Sequence, residues 1–490
     1  MAMNQRNSKK NYLYNMLYQI TLMALPLVSM PYVARVLGAE GIGVYSYTYS
    51  VAQYFLLFGM LGVENYGNRA IARVRDSREE CNRTFSSVFS LQFYVASFSL
   101  ILYLLYSLIL SRNTEFALIQ MLYVLSGLFD INWVFWGVED FRITVTKKIF
   151  LKICTVICIF AFVHSKNDLW LYLLILSLGY FVAQSSMWLF SKKYVSFHFC
   201  GVKEAFAHFG GVLVLFIPII ATSIYRMMDK IMIGIFCDMP QVGYYENSEK
   251  LVNVCLCVIS SFGAVMMPRM SNVLARGLYR EYRDLFTRSM EIAICIGAAI
   301  AFGIGAIAKS FIPVFYGEGY EKCIIITELL SITVIFITWA CIIRTLYLIP
   351  QEKNRIYISS VLAGAIINLV INLLLIPSYG AVGAAIGTVI AEISVAVVQT
   401  ISVYKELDII DCIKRGMPFI LFGAVMFFAV KTLRFDEEGI MDLLIKMVVG
   451  AIVYIFSSCA WFYKTKNKVF FDSISSIRRV LFNNGRNDNL

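Results

Sequence analysis

Apolar stretches of roughly 20 residues recur about fourteen times along this chain, each long enough to cross the hydrocarbon core of a bilayer. The short gaps between them alternate between Lys/Arg-rich and Lys/Arg-poor. Spans are expected at 12–36, 42–62, 86–109, 116–137, 146–164, 169–190 and 211–236. Seven more follow at 244–267, 289–308, 323–348, 356–376, 381–403, 416–432 and 441–462. The pattern predicts an all-α polytopic membrane protein.

Counting from an inside amino terminus, the basic residues gather on one side. Arg6, Lys9 and Lys10 precede the first span; Arg69, Arg73, Arg75, Arg78 and Arg83 follow the second. Arg269, Arg276, Arg280, Arg283 and Arg288 follow the eighth, and Lys464, Lys466, Lys468, Arg478, Arg479 and Arg486 mark the tail. The opposite side holds only Arg35, Arg112, Lys166, Lys309, Lys322, Lys431, Arg434 and Lys446. The bias is about fourfold, which puts both termini in the cytoplasm and requires an even number of crossings.

The two longest inner gaps, 63–85 and 268–288, are both basic and read as short amphipathic elbow helices on the inner surface. They belong to an internal repeat at an offset of about 200 residues. Gly43-Val44-Tyr45 faces Gly243-Tyr244-Tyr245, Arg69 faces Arg269, and Arg83 faces Arg283. Both copies start inside, so the repeat is parallel. The expected architecture is two pseudo-symmetric six-helix lobes, 1–200 and 201–410, around a central cavity. An appended helix pair and basic tail occupy 411–490.

Composition agrees. The chain is 59% hydrophobic and 15% charged, so nearly all of its 490 residues go into spans and none are left for a soluble catalytic domain. The start, MAMNQRNSKK, is polar and basic, and the apolar stretch after it is too long for a signal h-region. It should stay as the first transmembrane helix. The net charge of +11 is spread among alternate loops rather than gathered in one patch, which argues against nucleic acid. Most of the twelve cysteines sit in apolar stretches, no pair of CxxC motifs exists, and the three histidines lie in or near loops. No metal site or cofactor is expected. No phosphate-binding loop, nucleophile elbow or large outer loop with paired carboxylates occurs, so an enzyme is not expected.

Ionisable groups within spans are costly and mark candidate sites. The densest group is Ser-Ile-Tyr-Arg-Met-Met-Asp-Lys at 223–230, where Arg226, Asp229 and Lys230 share one helix face. Glu246, Glu249 and Lys250 fall in the first turns of the returning helix, at similar depth. Two readings stand for this group. Arg226 and Asp229 neutralise each other while Lys230 reaches the outer interface, or Arg226 faces a cavity with a fork suited to a phosphate-type oxyanion. Further embedded groups are Asp130, Glu291, Arg344 and Glu392, with Glu64 at the inner end of the second span. Arg35, Lys230, Lys250 and Arg344 join Arg226 as candidate substrate cations. Asp229, Glu392, Glu64 and Asp130 are the candidate ion-coupling carboxylates, for H+ or Na+. Pro26 and Pro31 in the first helix permit a bend, either a gate or a static kink. Asn368 and Asn372, four apart, suit bonding to a neighbouring helix. Trp133, Phe135 and Trp136 read as an inner aromatic belt.

Several of these segments resemble the Wzx-type polysaccharide flippases. They are VLGAEGIGVYSYTYSVAQYF at 36–55, LGVENYGNRAIA at 61–72 and FDINWVFWGVEDF at 129–141, then DKIMIG at 229–234, VGYYENSEKL at 242–251 and LIPSYGAVGAAIGT at 375–388. The superfamily also holds multidrug and toxin extrusion transporters and lipid II flippases. The resemblance implies transport of an undecaprenyl-diphosphate-linked oligosaccharide for capsule or O-antigen type surface polysaccharide. It implies alternating access of two lobes around a cationic cavity in the cytoplasmic membrane of a bacterium. Membrane lipids, a polysaccharide polymerase and glycosyltransferases are the partners it suggests. A cation-coupled drug exporter of the same fold would want an acidic cavity, a lipid II flippase differs in cargo, and a polymerase or ligase would need a larger outer loop.

Overall fold

The computed structural model describes residues 2–433 and 439–465, with the side chains of 2–24, 26, 141, 142, 218, 221, 222 and 224–226 outside the described set. The expected outer Arg434 and the tail residues Lys466, Lys468, Arg478, Arg479 and Arg486 lie outside the described residues, as do the side chains of Arg6, Lys9 and Lys10. Among the described residues the chain is helical throughout, without strands. The helices are α1 (Ala2–Met60), α2 (Val63–Val74), α3 (Arg78–Ile109), α4 (Thr114–Leu125), α5 (Asn132–Gly137), α6 (Phe141–Phe162), α7 (Leu169–Ser185) and α8 (Trp188–Ser191). They continue with α9 (Val202–Phe206), α10 (Phe209–Phe236), α11 (Met239–Ala275), α12 (Tyr279–Tyr316), α13 (Lys322–Ile343), α14 (Asn354–Val403), α15 (Ile409–Thr432) and α16 (Ile440–Lys464). Nine helices among the described residues are long and apolar enough to cross a bilayer. With the expected run of apolar spans, this makes the chain a multi-pass membrane protein.

Two of the expected span pairs share one continuous element. α1 leaves helical geometry at Gly38 (φ 70°, ψ 175°) and α14 at Gly380 (φ 56°, ψ −132°). A positive φ is cheap only for glycine, so a single residue serves as the whole turn. The legs of α14 then pair antiparallel. Asn372 packs on Gly387, Val395 on Gly364, and Gln399 Nε2 donates to Ser360 Oγ at 3.0 Å. Helical dihedrals run unbroken through Pro26 and Pro31, and only Gly38 departs from them inside α1.

The elbow expectation holds in one copy. α2 buries Val63, Gly67 and Ile71, one stripe at four-residue spacing. It is set off from α1 by Leu61 (φ 44°) and Gly62 (φ 78°). The segment 268–288 is not an elbow. It divides between the end of α11 and the start of α12, which meet at Gly277 (φ 71°). Ser261 and Phe262 stand where the first copy has Leu61 and Gly62, and the helix continues through them. Two of the three aromatics expected in a belt are not in one, Trp136 alone being half-buried. Trp133 and Phe135 are fully buried, and Trp133 Nε1 donates to Gln92 Oε1 at 3.1 Å.

The chain divides into two compact units. The first comprises Met1–Asn247, Phe315–Cys323 and Ala365–Gly387; the second comprises Ser248–Val314, Ile324–Gly364 and Thr388–Leu490. The first unit is centred on a cluster that includes Ile71, Phe85, Leu91, Trp133 and Phe135. The second is centred on Met270, Tyr282, Phe286, Ile342 and Leu346, with a further cluster joining α12, α15 and α16 through Ala298, Phe419 and Tyr454.

Within the first unit the two repeat copies touch backbone to backbone. A Cβ on Gly43 would overlap the carbonyl oxygen of Met239, and a Cβ on Gly243 would overlap the carbonyl oxygen of Ala39. The contact is reciprocal, as a pseudo-two-fold relation between equivalent positions demands. Small residues at such crossings let helices approach closely in lipid, where apolar burial gives no drive to associate. Gly43→Ala is expected to lower the detergent unfolding midpoint through an overpacking cost of about 1–3 kcal/mol, and Gly243→Ala to do the same. Unchanged midpoints in thermal-shift measurements would contradict the crossing.

Candidate functional site

The site forms where the second repeat copy turns. α10 and α11 are joined at Cys237 and Asp238, and their arms pair antiparallel. Lys230 Nζ lies 2.7 Å from Glu246 Oε2, with side chains 16% and 6% exposed. Ser46 Oγ donates to the same carboxylate at 2.8 Å, from a residue 200 positions earlier in the chain. One turn away, Tyr245 Oη donates to Asp229 Oδ2 at 2.5 Å and Asn372 Nδ2 donates to Asp229 Oδ1 at 2.5 Å. Asn372 Nδ2 also meets Asn368 Oδ1 at 3.1 Å. Among the described residues, Asn372 Oδ1 and Asn368 Nδ2 are buried without a hydrogen-bond partner. Asp229 and Glu246 are each about 95% covered, at 4% and 5% exposure, so every one of these polar contacts is shielded from water.

Asp229 and Lys230 therefore come together with Glu246 as expected, but in separate pairings. Arg226 lies on α10, and its side chain is outside the described residues. Lys250 and Glu249 follow on α11 in the second unit, both half-buried. Glu392, half-buried on the second leg of α14, belongs to that unit too. Arg344 opens a π-helical segment, Arg344–Leu348, with its guanidinium 5.6 Å from the Tyr357 ring centre and 3.5 Å from Cys341 Sγ. π-segments of this kind occur often at functional positions. Near it, Lys353 and Tyr347 donate to Glu406.

Asp130 sits at the break between α4 and α5. Its Oδ1 accepts from Asn132 N at 3.0 Å and Asn132 Nδ2 at 2.6 Å, and Asn132 Nδ2 also reaches Gln184 Oε1. Gln92 Nε2 donates to the carbonyls of Gly127 and Asp130 at 2.7 and 2.8 Å. The broken helix is thus satisfied internally, as irregular backbone at membrane depth requires. Glu64, in the first turn of α2, lies within electrostatic range of Asp130 and Lys148. Arg35 is exposed beside the Gly38 kink and lines a cavity there.

Sequence reasoning passed over Ser46, Tyr245, Gln92, Asn132 and Gln184. Ser46 was readable from the repeat, which pairs it with Glu246. It also passed over Asp442, the (i, i+4) partner of Lys446 on α16: Lys446 Nζ meets Asp442 Oδ2 at 2.9 Å and Ser310 Oγ at 2.8 Å. Among the described residues no group of His, Cys, Asp and Glu is arranged to hold a metal ion.

Residues 8–274 match the polysaccharide biosynthesis protein family. The chain belongs to that family. It is 24% identical over 393 residues to a Shigella dysenteriae protein named as an O-antigen transporter, covering 79% of this chain and 97% of the relative. It is 21% identical over 403 residues to an Escherichia coli K12 protein of the same name, covering 80% and 95%. In fold it is similar to the lipid II flippase MurJ in an inward closed conformation, with TM-score 0.72, 16% identity, and 93% and 99% of the two chains covered. An inward-facing multidrug MATE transporter follows at TM-score 0.57, 13% identity, 86% and 99%. The all-α polytopic transporter fold expected from the sequence is therefore the fold observed. This family member carries a buried ionic hairpin that can be dissected directly.

Lys230→Met should cost about 3–5 kcal/mol of stability, because it leaves the Glu246 carboxylate buried without its cation. The double variant Lys230→Met/Glu246→Leu should recover most of that loss, read as chemical-denaturation midpoints in detergent. At the loop between α14 and α15, the bonds from Lys353 and Tyr347 hold the Glu406 carboxyl below the usual range. Their stabilisation is complete above the ordinary carboxylate pKa and is lost as pH falls through the lowered one. Glu406→Gln should flatten the acid limb of the stability profile by no more than about 1 kcal/mol, since the pair is partly exposed.

Proposed function

We propose that this protein is a flippase that moves a polyprenyl-diphosphate-linked oligosaccharide, of the undecaprenyl type, across the cytoplasmic membrane of a bacterium for surface polysaccharide assembly. The observation that carries this reading is the match along nearly the whole length of relatives named as O-antigen transporters. Both termini face the cytoplasm in this reading, in line with the basic bias of the loops. Glycosyltransferases act before it and a polymerase after it on the same lipid-linked glycan.

The physical task is desolvation. Each sugar hydroxyl or phosphate oxygen moved into hydrocarbon without a partner costs several kcal/mol, so the headgroup needs polar company throughout its passage. Arg226, Lys230, Lys250, Arg344 and Arg35 are the cations assigned to it. Lys230 reaches a phosphate only by exchanging the Glu246 carboxylate for it, which makes the pair a competitor that weakens resting affinity and permits release. A membrane potential of about 100 mV, negative inside, favours outward movement by roughly 2.3 kcal/mol per negative charge, or about 4–5 for a diphosphate near −2.

Asp229 is the leading ion-coupling group, ahead of Glu392, Glu64 and Asp130. Its carboxylate and the unpartnered Asn372 Oδ1 are buried oxygens on adjoining helices, a suitable pairing for H+ or Na+. Transport follows alternating access, with the ion and the glycan-lipid favouring different states.

The test is complementation of a flippase-deficient host. Arg226→Ala and Asp229→Asn should each abolish surface polysaccharide while the protein remains membrane-inserted, with lipid-linked oligosaccharide accumulating at the inner leaflet. Normal polysaccharide in Arg226→Ala would remove that residue from the site. Accumulation of lipid II instead would transfer the cargo to peptidoglycan synthesis, and drug resistance with normal polysaccharide would favour an exporter.

A further inference from the structure

The first unit contains a second polar site, apart from the ionic hairpin. A cavity of about 380 Å³ opens where several turns of that unit meet, lined by Arg35, Glu40, Lys166, Tyr244, Glu318 and Tyr320 among others. A volume of this order suits a small ligand of one or two rings.

The cavity is built rather than incidental. Gly38, Gly317 and Gly319, which also line it, have φ of 70°, 91° and 85°. The stem of Arg35 lies against Gly317, with its Cγ 3.4 Å from the position of an added Cβ. The stem of Lys166 lies against Gly38, with its Cε 3.7 Å from the equivalent position. Each cation is thus seated on a glycine that has no side chain to displace it. The turn carrying Lys166 is closed by Asp168, whose Oδ2 accepts from His164 N at 3.0 Å and Ser165 N at 2.8 Å. The aromatic wall is pinned as well. Tyr320 Oη donates to Ala34 O at 2.8 Å, Tyr316 Oη donates to Asn247 O at 2.9 Å, and Tyr244 stands edge-on to Tyr320 at 6.1 Å.

The charge pattern selects the ligand. Arg35 and Lys166 come from the side of the sequence that retains few basic residues. Both line the cavity together with Glu40 and Glu318, all four being exposed. A phosphate would meet two cations but also two carboxylates. A neutral polyol meets donors and acceptors in equal number, and carboxylates beside aromatic rings are suited to its hydroxyls and C–H faces.

We propose that this cavity is a saccharide-binding subsite that takes one or two neutral sugar rings on the basic-poor face. The proposal rests on the flippase reading only for the source of the sugar, the glycan of the transported lipid. Binding of a free glycoside is measured without transport.

The experiment is saturation-transfer NMR on the full-length protein in lipid nanodiscs. The probes are the methyl glycosides of glucose, galactose, N-acetylglucosamine and glucuronic acid at millimolar concentration. Transfer to one or more of the neutral glycosides is expected. Arg35→Ala and Glu318→Gln should each weaken it about tenfold, the loss of one charge-assisted hydrogen bond. Both side chains are exposed, so folding should survive, and gel filtration checks it; Lys166→Gln supplies a third cavity variant. The exposed Lys192→Gln, on a basic loop, should change nothing. Silence from every glycoside, or equal binding in all cavity variants, overturns the proposal. Binding of the glucuronide alone makes this an anion site and overturns it equally. If glycosides fail to bind while Asp229→Asn still abolishes surface polysaccharide, this inference falls and the flippase reading stands.

Discussion

The close crossing of Gly43 and Gly243 is the constraint on which the first unit depends. Inside a bilayer, lipid tails compete on equal terms with apolar side chains, so helices associate through packing and polar contacts. Here each glycine receives the carbonyl of the other copy, Met239 above one and Ala39 above the other. Any larger residue would push the backbones apart. That separation would also move Ser46 off Glu246, because the bond is made between the same two helices one turn away. Glu246 would then keep its ion pair with Lys230 but lose a donor. The steric fit and the buried ionic pair are therefore one arrangement.

The second constraint is the backbone itself. Where α4 breaks before α5, carbonyls and amides are freed at membrane depth, and side chains take them up. Gln92 serves two carbonyls, and Asp130 serves the Asn132 amide. The sequence marks Asp130 as a charge embedded in a span, which holds: it is buried between α4 and α5. Its geometry adds what position alone does not convey, that much of its acceptor capacity is taken up in closing a helix break. The break is poorly legible because Ser126 to Ile131 contains no proline and only one glycine, Gly127.

Apolar length carried the helical architecture, since it follows directly from the bilayer as solvent. The expected spans fall on helices, that at 116–137 on a broken one. The repeat offset was also legible, and its reciprocity is visible in the paired glycines. Local departures from the repeat were harder. Arg69 and Arg269 match in sequence, yet only the first copy makes an elbow, because the Leu61–Gly62 break has no counterpart at Ser261–Phe262. Trp133 was misplaced at the lipid interface because an aromatic run near a span end suits a belt as well as a core. The space over Gly67, which admits its ring, depends on tertiary packing.

The charges on the α10–α11 hairpin also bear on how such a site could work. Arg226 and Lys230 are matched in number by Asp229 and Glu246, so the hairpin arms are formally neutral. A neutral set is the least costly way to keep ions at this depth. It is also easily unbalanced. In the proposed flippase, a proton or monovalent cation at Asp229 would leave a single positive excess, and a diphosphate of about −2 would leave a negative one. Either excess is a charge stranded in a medium where stranded charges are most expensive, so each ligand would favour a different state of the hairpin.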